Sequence, residues 1–122
     1  MSDPTPLTQS VINALRGRRY RYSCERTLHL ALSQALTDAH IEHAREVPVV
    51  GGRIDFLVDH LGVEVKIKGS TAAVARQLSA YANDPRIGEL LLVTTRPAHR
   101  AVTARIDSTT PVHVLTIGGL SL

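Results

Sequence analysis

The chain reads as a single α/β domain, a mixed β-sheet flanked by helices. Three observations predict this. Apolar residues recur at helical spacing in segments near residues 6–16, 23–41 and 72–83. Short β-branched runs lie between and after those segments. The resulting order, α-α-β-β-β-α-β-α-β, interleaves strands and helices as a mixed sheet requires. At 122 residues the chain is one domain with room for a sizeable core.

Residues 6–16 form the first helix. Thr5 caps it, Pro6 suits the first helical position, and Gly17 ends it. Leu7, Val11, Ala14 and Leu15 make its apolar stripe. Arg18-Arg19-Tyr20-Arg21-Tyr22 follows as a basic, aromatic connector. Ser23 then caps a longer helix running to about Ile41, with Leu28, Leu32, Ala35 and Leu36 inward. Glu25 and His29 lie along the same helical face. Glu46–Val50 is a short strand ended by Gly51-Gly52.

Two strands follow, Arg53–Val58 and Gly62–Lys68, joined by a hairpin turn at Asp59–Gly62. If His60 and Leu61 form the loop, Phe56 faces Val65, Val58 faces Val63, and Asp55 falls opposite Lys66 and beside Glu64. A slip of one residue would put Asp55 among the valines, so the apolar pattern fixes which face carries charge. Gly69-Ser70 breaks the chain, and Ser70 or Thr71 caps a helix over about 72–83, with Val74, Leu78 and Ala82 inward. Asp84-Pro85 stops it. Glu89–Thr95 is a continuous apolar run, expected of a strand buried on both faces. Residues 97–106 form a short helix and Val112–Ile117 a last strand, whose apolar residues are expected to offer a pairing surface.

Composition narrows the function classes. Apolar residues are 43% of the chain, so it folds, and aromatics are 3%, so Leu, Val, Ile and Ala fill the core. The single cysteine, Cys24, excludes an internal disulfide and a Cys-only zinc or iron–sulfur site. No charged-then-apolar leader and no long apolar run is present, so a soluble cytoplasmic protein without a membrane partner is expected. The net charge is +3, and Lys66 and Lys68 are the only lysines among 14 basic residues. Arginine dominance suits bidentate phosphate contact.

Charge inside apolar strands requires compensation. Asp55, Glu64 and Lys66 place two carboxylates and an ammonium on one face of the hairpin, a pattern suited to a divalent metal and phosphate chemistry. The plainer reading is a solvated strand face with a cross-strand salt bridge. These pieces together resemble the PD-(D/E)XK nuclease superfamily, the restriction-endonuclease-like fold with core order αβββαβ. Asp55 matches the motif aspartate, Glu64-Val65-Lys66 the (D/E)XK element, and Glu25 the glutamate often found on the first core helix. Gly52-Arg53-Ile54-Asp55 and Gln77-Leu78-Ser79-Ala80-Tyr81 are similar to the Gly-x-apolar-Asp and Gln-x-x-x-Tyr patterns of the RecB-like branch. The Glu25 helix with its compact core is also similar to Holliday-junction resolvases, and the branch stays open.

The resemblance implies a Mg2+- or Mn2+-dependent nuclease acting on DNA in recombination, repair or processing. Asp55, Glu64, the Val65 carbonyl and Glu25 are the implied metal ligands, with Lys66 acting on the attacking water or the phosphate. Metal affinity is expected to depend on Asp55 and Glu64, fixed on paired strands, more than on Glu25. His29, one turn beyond Glu25, is either a further ligand or a packed core residue. Gln77, Tyr81, Arg53 and Lys68 are implied nucleic-acid contacts, and Arg18, Arg19 and Arg21, interleaved with tyrosines, suit phosphate grip and base stacking. A homodimeric structure-specific endonuclease, a member of a larger nuclease complex, and a non-catalytic nucleic-acid-binding subunit are the alternatives. His40, His43, His60, His99 and His113 show no ligand spacing.

Overall fold

In the computed structural model, which describes residues 3–121, α1 spans Pro6–Arg16 and opens as its sequence predicts. The Thr5 side chain accepts from the Thr8 N–H, and Pro6 occupies the first turn. β1 follows at Tyr20–Tyr22, then α2 at Glu25–Asp38. Cys24, not Ser23, is the N-cap, and the capping oxygen comes from Thr27, whose Oγ1 accepts from the Ser23 and Cys24 N–H groups at 2.9 and 3.2 Å. The helix ends three residues earlier than predicted. His40 takes a left-handed φ of 58°, and the Ile41 N–H returns to the Leu36 carbonyl in a Schellman stop.

The remaining elements are β2 (Ala44–Val49), β3 (Gly52–Val58), β4 (Leu61–Lys66), α3 (Thr71–Tyr81), β5 (Glu89–Thr94), a 3-10 helix (Pro97–Arg105), β6 (Val112–Thr116) and β7 (Gly119–Ser121). Five strands make one mixed sheet in the order β2-β3-β4-β5-β6. The first two pairings are antiparallel and the last two parallel. β1 and β7 form a separate parallel pair, which the sequence reading had as a connector and an unassigned tail.

Strand alternation divides the core. Leu61, Val63, Val65, Leu91 and Val93 pack with Val11, Leu15, Leu28, Leu32 and Leu36 of α1 and α2. Leu90, Leu92 and Val112 face the other way, onto Val74, Leu78 and Tyr81 of α3 and Val102 of the 3-10 helix. β5 is therefore covered on both faces, which is why its sequence is apolar without alternation. The predicted pairing surface at Val112–Ile117 does not exist as such, because Val112, Leu115 and Ile117 are buried in these two cores. A homodimer loses the apolar surface on which that expectation rested.

The hairpin register differs from the expectation by two residues. Phe56 pairs with Val63, Leu57 with Gly62 and Val58 with Leu61, so the loop is Asp59-His60. Asp59 adopts a left-handed φ of 52°, a conformation aspartate tolerates in turns. A two-residue slip preserves parity, so the charged face survives, but Asp55 now falls opposite Glu64 rather than Lys66. No described helix is long and apolar enough to cross a membrane.

Candidate metal centre

The ladder between β3 and β4 stops at Phe56 and Val63, one step short of Asp55 and Glu64. Side chains take over the backbone bonds there. The Val65 N–H donates to Asp55 Oδ2 at 2.7 Å, and the Asp55 N–H donates to Glu64 Oε1 at 3.3 Å. Opposite Asp55, where the β2–β3 ladder skips one pair, Glu46 takes a left-handed φ of 52°. The strands open at this end of the sheet, and the carboxylates occupy the opening.

α2 supplies the rest. Glu25 and His29 stand one turn apart, and His29 Nε2 lies 3.6 Å from Glu25 Oε1 and 3.5 Å from Asp55 Oδ2. Both distances are too long for a hydrogen bond, and Nε2 is buried without a partner among the described residues. Glu25, His29 and Asp55 each offer a ligand atom within 4.8 Å of the others. One imidazole nitrogen and two carboxylate oxygens are a donor set that could hold a divalent cation, and without one a protonated His29 pairs with both carboxylates.

The structure brings together Glu25, Asp55 and His29, which the sequence left open between ligand and core residue, and sets Glu64 beside them. Glu64 is 3% exposed and turns to Lys66, whose Nζ is 3.3 Å from Glu64 Oε2. The signal for His29 was present in the sequence, as a Glu-x-x-x-His pair on one helical face, but a lone helical histidine is more often core than ligand. Val65, whose carbonyl the resemblance implied as a ligand, contributes its N–H to Asp55.

Electrostatics follow from packing anions together in a dry place. Burial, then the Asp55 charge, pushes the Glu64 carboxyl up to about 8, with Lys66 opposing. Burial also raises Asp55, against the pull of the Val65 N–H and of His29. Glu25 is lowered, first by the adjacent His29 and then, against its own burial, by Lys66 and Lys68. Burial disfavours the His29 cation, yet Glu25 and Asp55 together raise its pKa. Asp55 thus opposes ionisation of Glu64 even with the Lys66 ammonium beside it.

The surrounding braces are buried. Tyr81, fully buried, donates to the Arg53 carbonyl at 2.9 Å and accepts from Gln77 Nε2 at 2.7 Å. It holds β3 two residues before Asp55, and its burial rules it out as the nucleic-acid contact the motif implied. His99, to which the sequence assigned nothing, is also buried. Its Nε2–H donates to the Gly69 carbonyl at 2.7 Å, and its Nδ1 bonds Thr94 Oγ1 at 2.7 Å. Thr94 is the β5 partner of Lys66, so His99 ties the loop carrying Lys68 to the strand beside the lysine.

The basic connector is dispersed. Tyr20 is buried with its hydroxyl donated to the Leu15 carbonyl, so it is not free to stack a base as expected, and Tyr22 is half-buried against the α1–α2 core. Arg18 pairs with Asp38 at 2.5 Å. Arg19, Arg21, Arg53 and Lys68 are exposed, and Gln77 is half-buried. A cavity of about 540 Å3 opens beside Glu25 and His29. Another of about 550 Å3, lined by Thr37, His40, Ile41, Glu42 and His43, lies at the far end of α2, away from the carboxylates. No protein family, curated protein or solved structure matches the chain.

Proposed function

We propose that the chain is a divalent-metal-dependent DNA nuclease, a phosphodiester hydrolase using Mn2+ or Mg2+, of the kind that serves DNA recombination, repair or processing. The observation that carries this reading is the convergence of Glu25, His29 and Asp55 at ligand distance from one another, with Glu64 and Lys66 alongside.

Glu25, His29 and Asp55 hold the cation. Such a cation supplies Lewis acidity and neutralises charge gathering on a phosphate. Lys66 presents its ammonium next to Glu64 Oε2, where it orients the attacking water or pairs with the phosphate oxygen. Glu64 holds Lys66 in place and accepts the Asp55 N–H, keeping both strands in register. Tyr81 and Gln77 fix the β3 backbone from below.

The test is cleavage of plasmid, single-stranded and four-way-junction DNA with Mn2+ or Mg2+, against an EDTA control. Lys66→Ala is expected to fold, to bind DNA, and to lose cutting by about a hundred-fold or more, as for a group acting in the transition state. Undiminished cleavage by that variant removes the mechanism. Binding with no cleavage under any metal favours a non-catalytic subunit, and cleavage confined to the junction favours a resolvase.

A further inference from the structure

The cavity of about 540 Å3 beside the candidate metal centre is lined by Glu25, Arg26, His29, Leu30, Arg45 and Glu46. Its volume falls in the range of about 300–1,000 Å3 usual for small-molecule sites. The Glu25–His29 pair lines it. Its walls carry two exposed guanidinium groups, one from the first turn of α2 and one from β2. Among the described residues neither Arg26 nor Arg45 enters an ion pair, whereas Arg18 and Arg86 are both committed to aspartates.

Two further features single out this cavity. Leu30 and Val50 are the large apolar side chains that stay exposed among the described residues, and Leu30 lines the cavity. Leu30 stands one helical turn beyond Arg26 on α2 and leaves apolar surface exposed. Glu46, on the β2 wall, holds the left-handed φ of 52°, costing about 1–3 kcal/mol for a non-glycine residue. That bend lies next to Arg45 at the skipped step of the β2–β3 ladder. Two guanidinium groups and an apolar side chain share the opening with the Glu25 and Glu46 carboxylates. Glu25 is paired with His29, so the two guanidinium groups outnumber the one remaining carboxylate, and the balance matches a nucleotide: an anionic phosphate, and a sugar and base with apolar surface.

We infer that this cavity seats one nucleotide of a DNA strand, its phosphate held by Arg26 and Arg45 and its sugar or base lying on Leu30. The inference deepens the nuclease reading, since it says on which side of the metal group the strand enters, and it rests on that reading for the strand being DNA. It moves the strand's contacts away from the Arg18–Arg21 connector and from Tyr81. The arginines act without metal, so binding and cutting separate experimentally.

The test is fluorescence anisotropy of a short labelled single-stranded DNA with the full chain in EDTA. Arg26→Ala and Arg45→Ala are each expected to weaken binding about ten-fold, the loss of one charge-assisted contact. Each should lower the magnitude of the salt slope by about 0.7. Leu30→Ser should weaken binding several-fold with the slope unchanged. Arg76→Ala, the same charge change on the α3 side, should leave binding within two-fold of the parent. Both arginines are exposed, so unchanged melting curves verify folding.

If the double arginine variant binds as the parent does, or the parent fails to bind without metal, the inference is overturned, whatever the cleavage assay shows. If inorganic phosphate at equal phosphate concentration competes as well as unlabelled oligonucleotide, the site is a plain anion site and the nucleotide assignment falls. Arginine-dependent binding without cleavage under any metal upholds this inference and removes the nuclease reading.

Discussion

Glu64 gives the metal-free protein its clearest pH signature. Its folded pKa is raised from 4.5 to about 8, mainly by burial and then by the Asp55 charge. Between those values the folded state keeps a proton that the unfolded state has released, so stability falls as pH rises through the window. Asp55, also raised, contributes with the same sign. Glu64→Gln cannot ionise and keeps the shape. In EDTA it is expected to melt several degrees above the parent at pH 8.5 and to converge with it near pH 5. Parallel curves across the window would show that Glu64 does not carry the buried charge. This residue was legible in the sequence because strand parity survives a register error of two. Asp55, Glu64 and Lys66 reach the same region either way. What parity could not supply is the partner across the gap. Whether Glu25 and His29 meet Asp55 depends on how α2 lies on the sheet, and no local pattern encodes that.

Elements whose signals are local were read closely. α1 has its cap, its proline and its stripe within a single window, and its bounds match the prediction. β1 and β7 were missed for a physical reason: each is three residues long, and their pairing joins Tyr20 to Gly119 across nearly the whole chain. The turn between β2 and β3 shows how an element positions the site. Gly51 has φ of 90°, and a Cβ there would stand 2.6 Å from Ala80 Cβ and 3.1 Å from the Ala80 backbone. α3 therefore presses directly on the turn that launches β3 toward Asp55. Gly51→Ala is expected to cost roughly 1–3 kcal/mol through strain and overlap. Backbone cannot yield as a side-chain tip can, so the turn must move, and cation affinity should fall with it. Gly118→Ala, whose Cβ meets nothing within 4 Å, is the control and should melt with the parent. Equal melting temperatures for the two variants would mean that α3 does not constrain the hairpin.

At the scale of the molecule, the two ends of the sheet are built differently. At one end buried Glu89 accepts from Thr5 Oγ1 at 2.7 Å and contacts His60 and His113 Nε2 at 3.3 and 2.6 Å, joining α1 to the sheet. Burial would raise this carboxyl, but those hydrogen bonds, led by Thr5, hold it down to about 2. That end is satisfied internally. At the other end the β3–β4 ladder lapses, Asp55 and Glu64 press together, and His29 Nε2 makes no hydrogen bond among the described residues. A cation there would join α2 to β3, elements that only the folded chain brings together, so metal binding should appear as folding stability. At Mn2+ about a hundred-fold above Kd the gain is about 2.7 kcal/mol, roughly 10 °C in a domain of this size. Mg2+ should give less, because it favours oxygen ligands and one donor here is imidazole. The ligand geometry also sets the order of the variants. Asp55→Asn, Glu25→Gln and His29→Ala should each remove most of the Mn2+-induced rise, since each deletes one of three ligands. Lys66→Ala should keep it. Glu64→Gln should keep a substantial part, because Glu64 engages Lys66 rather than the ligand group. Thermal melts with and without Mn2+ read all five without any nuclease assay. A full rise in His29→Ala, with loss in Glu64→Gln, would move the centre from the α2–β3 junction back to the hairpin alone. No rise in the parent would mean that the open end of the sheet is not a metal site.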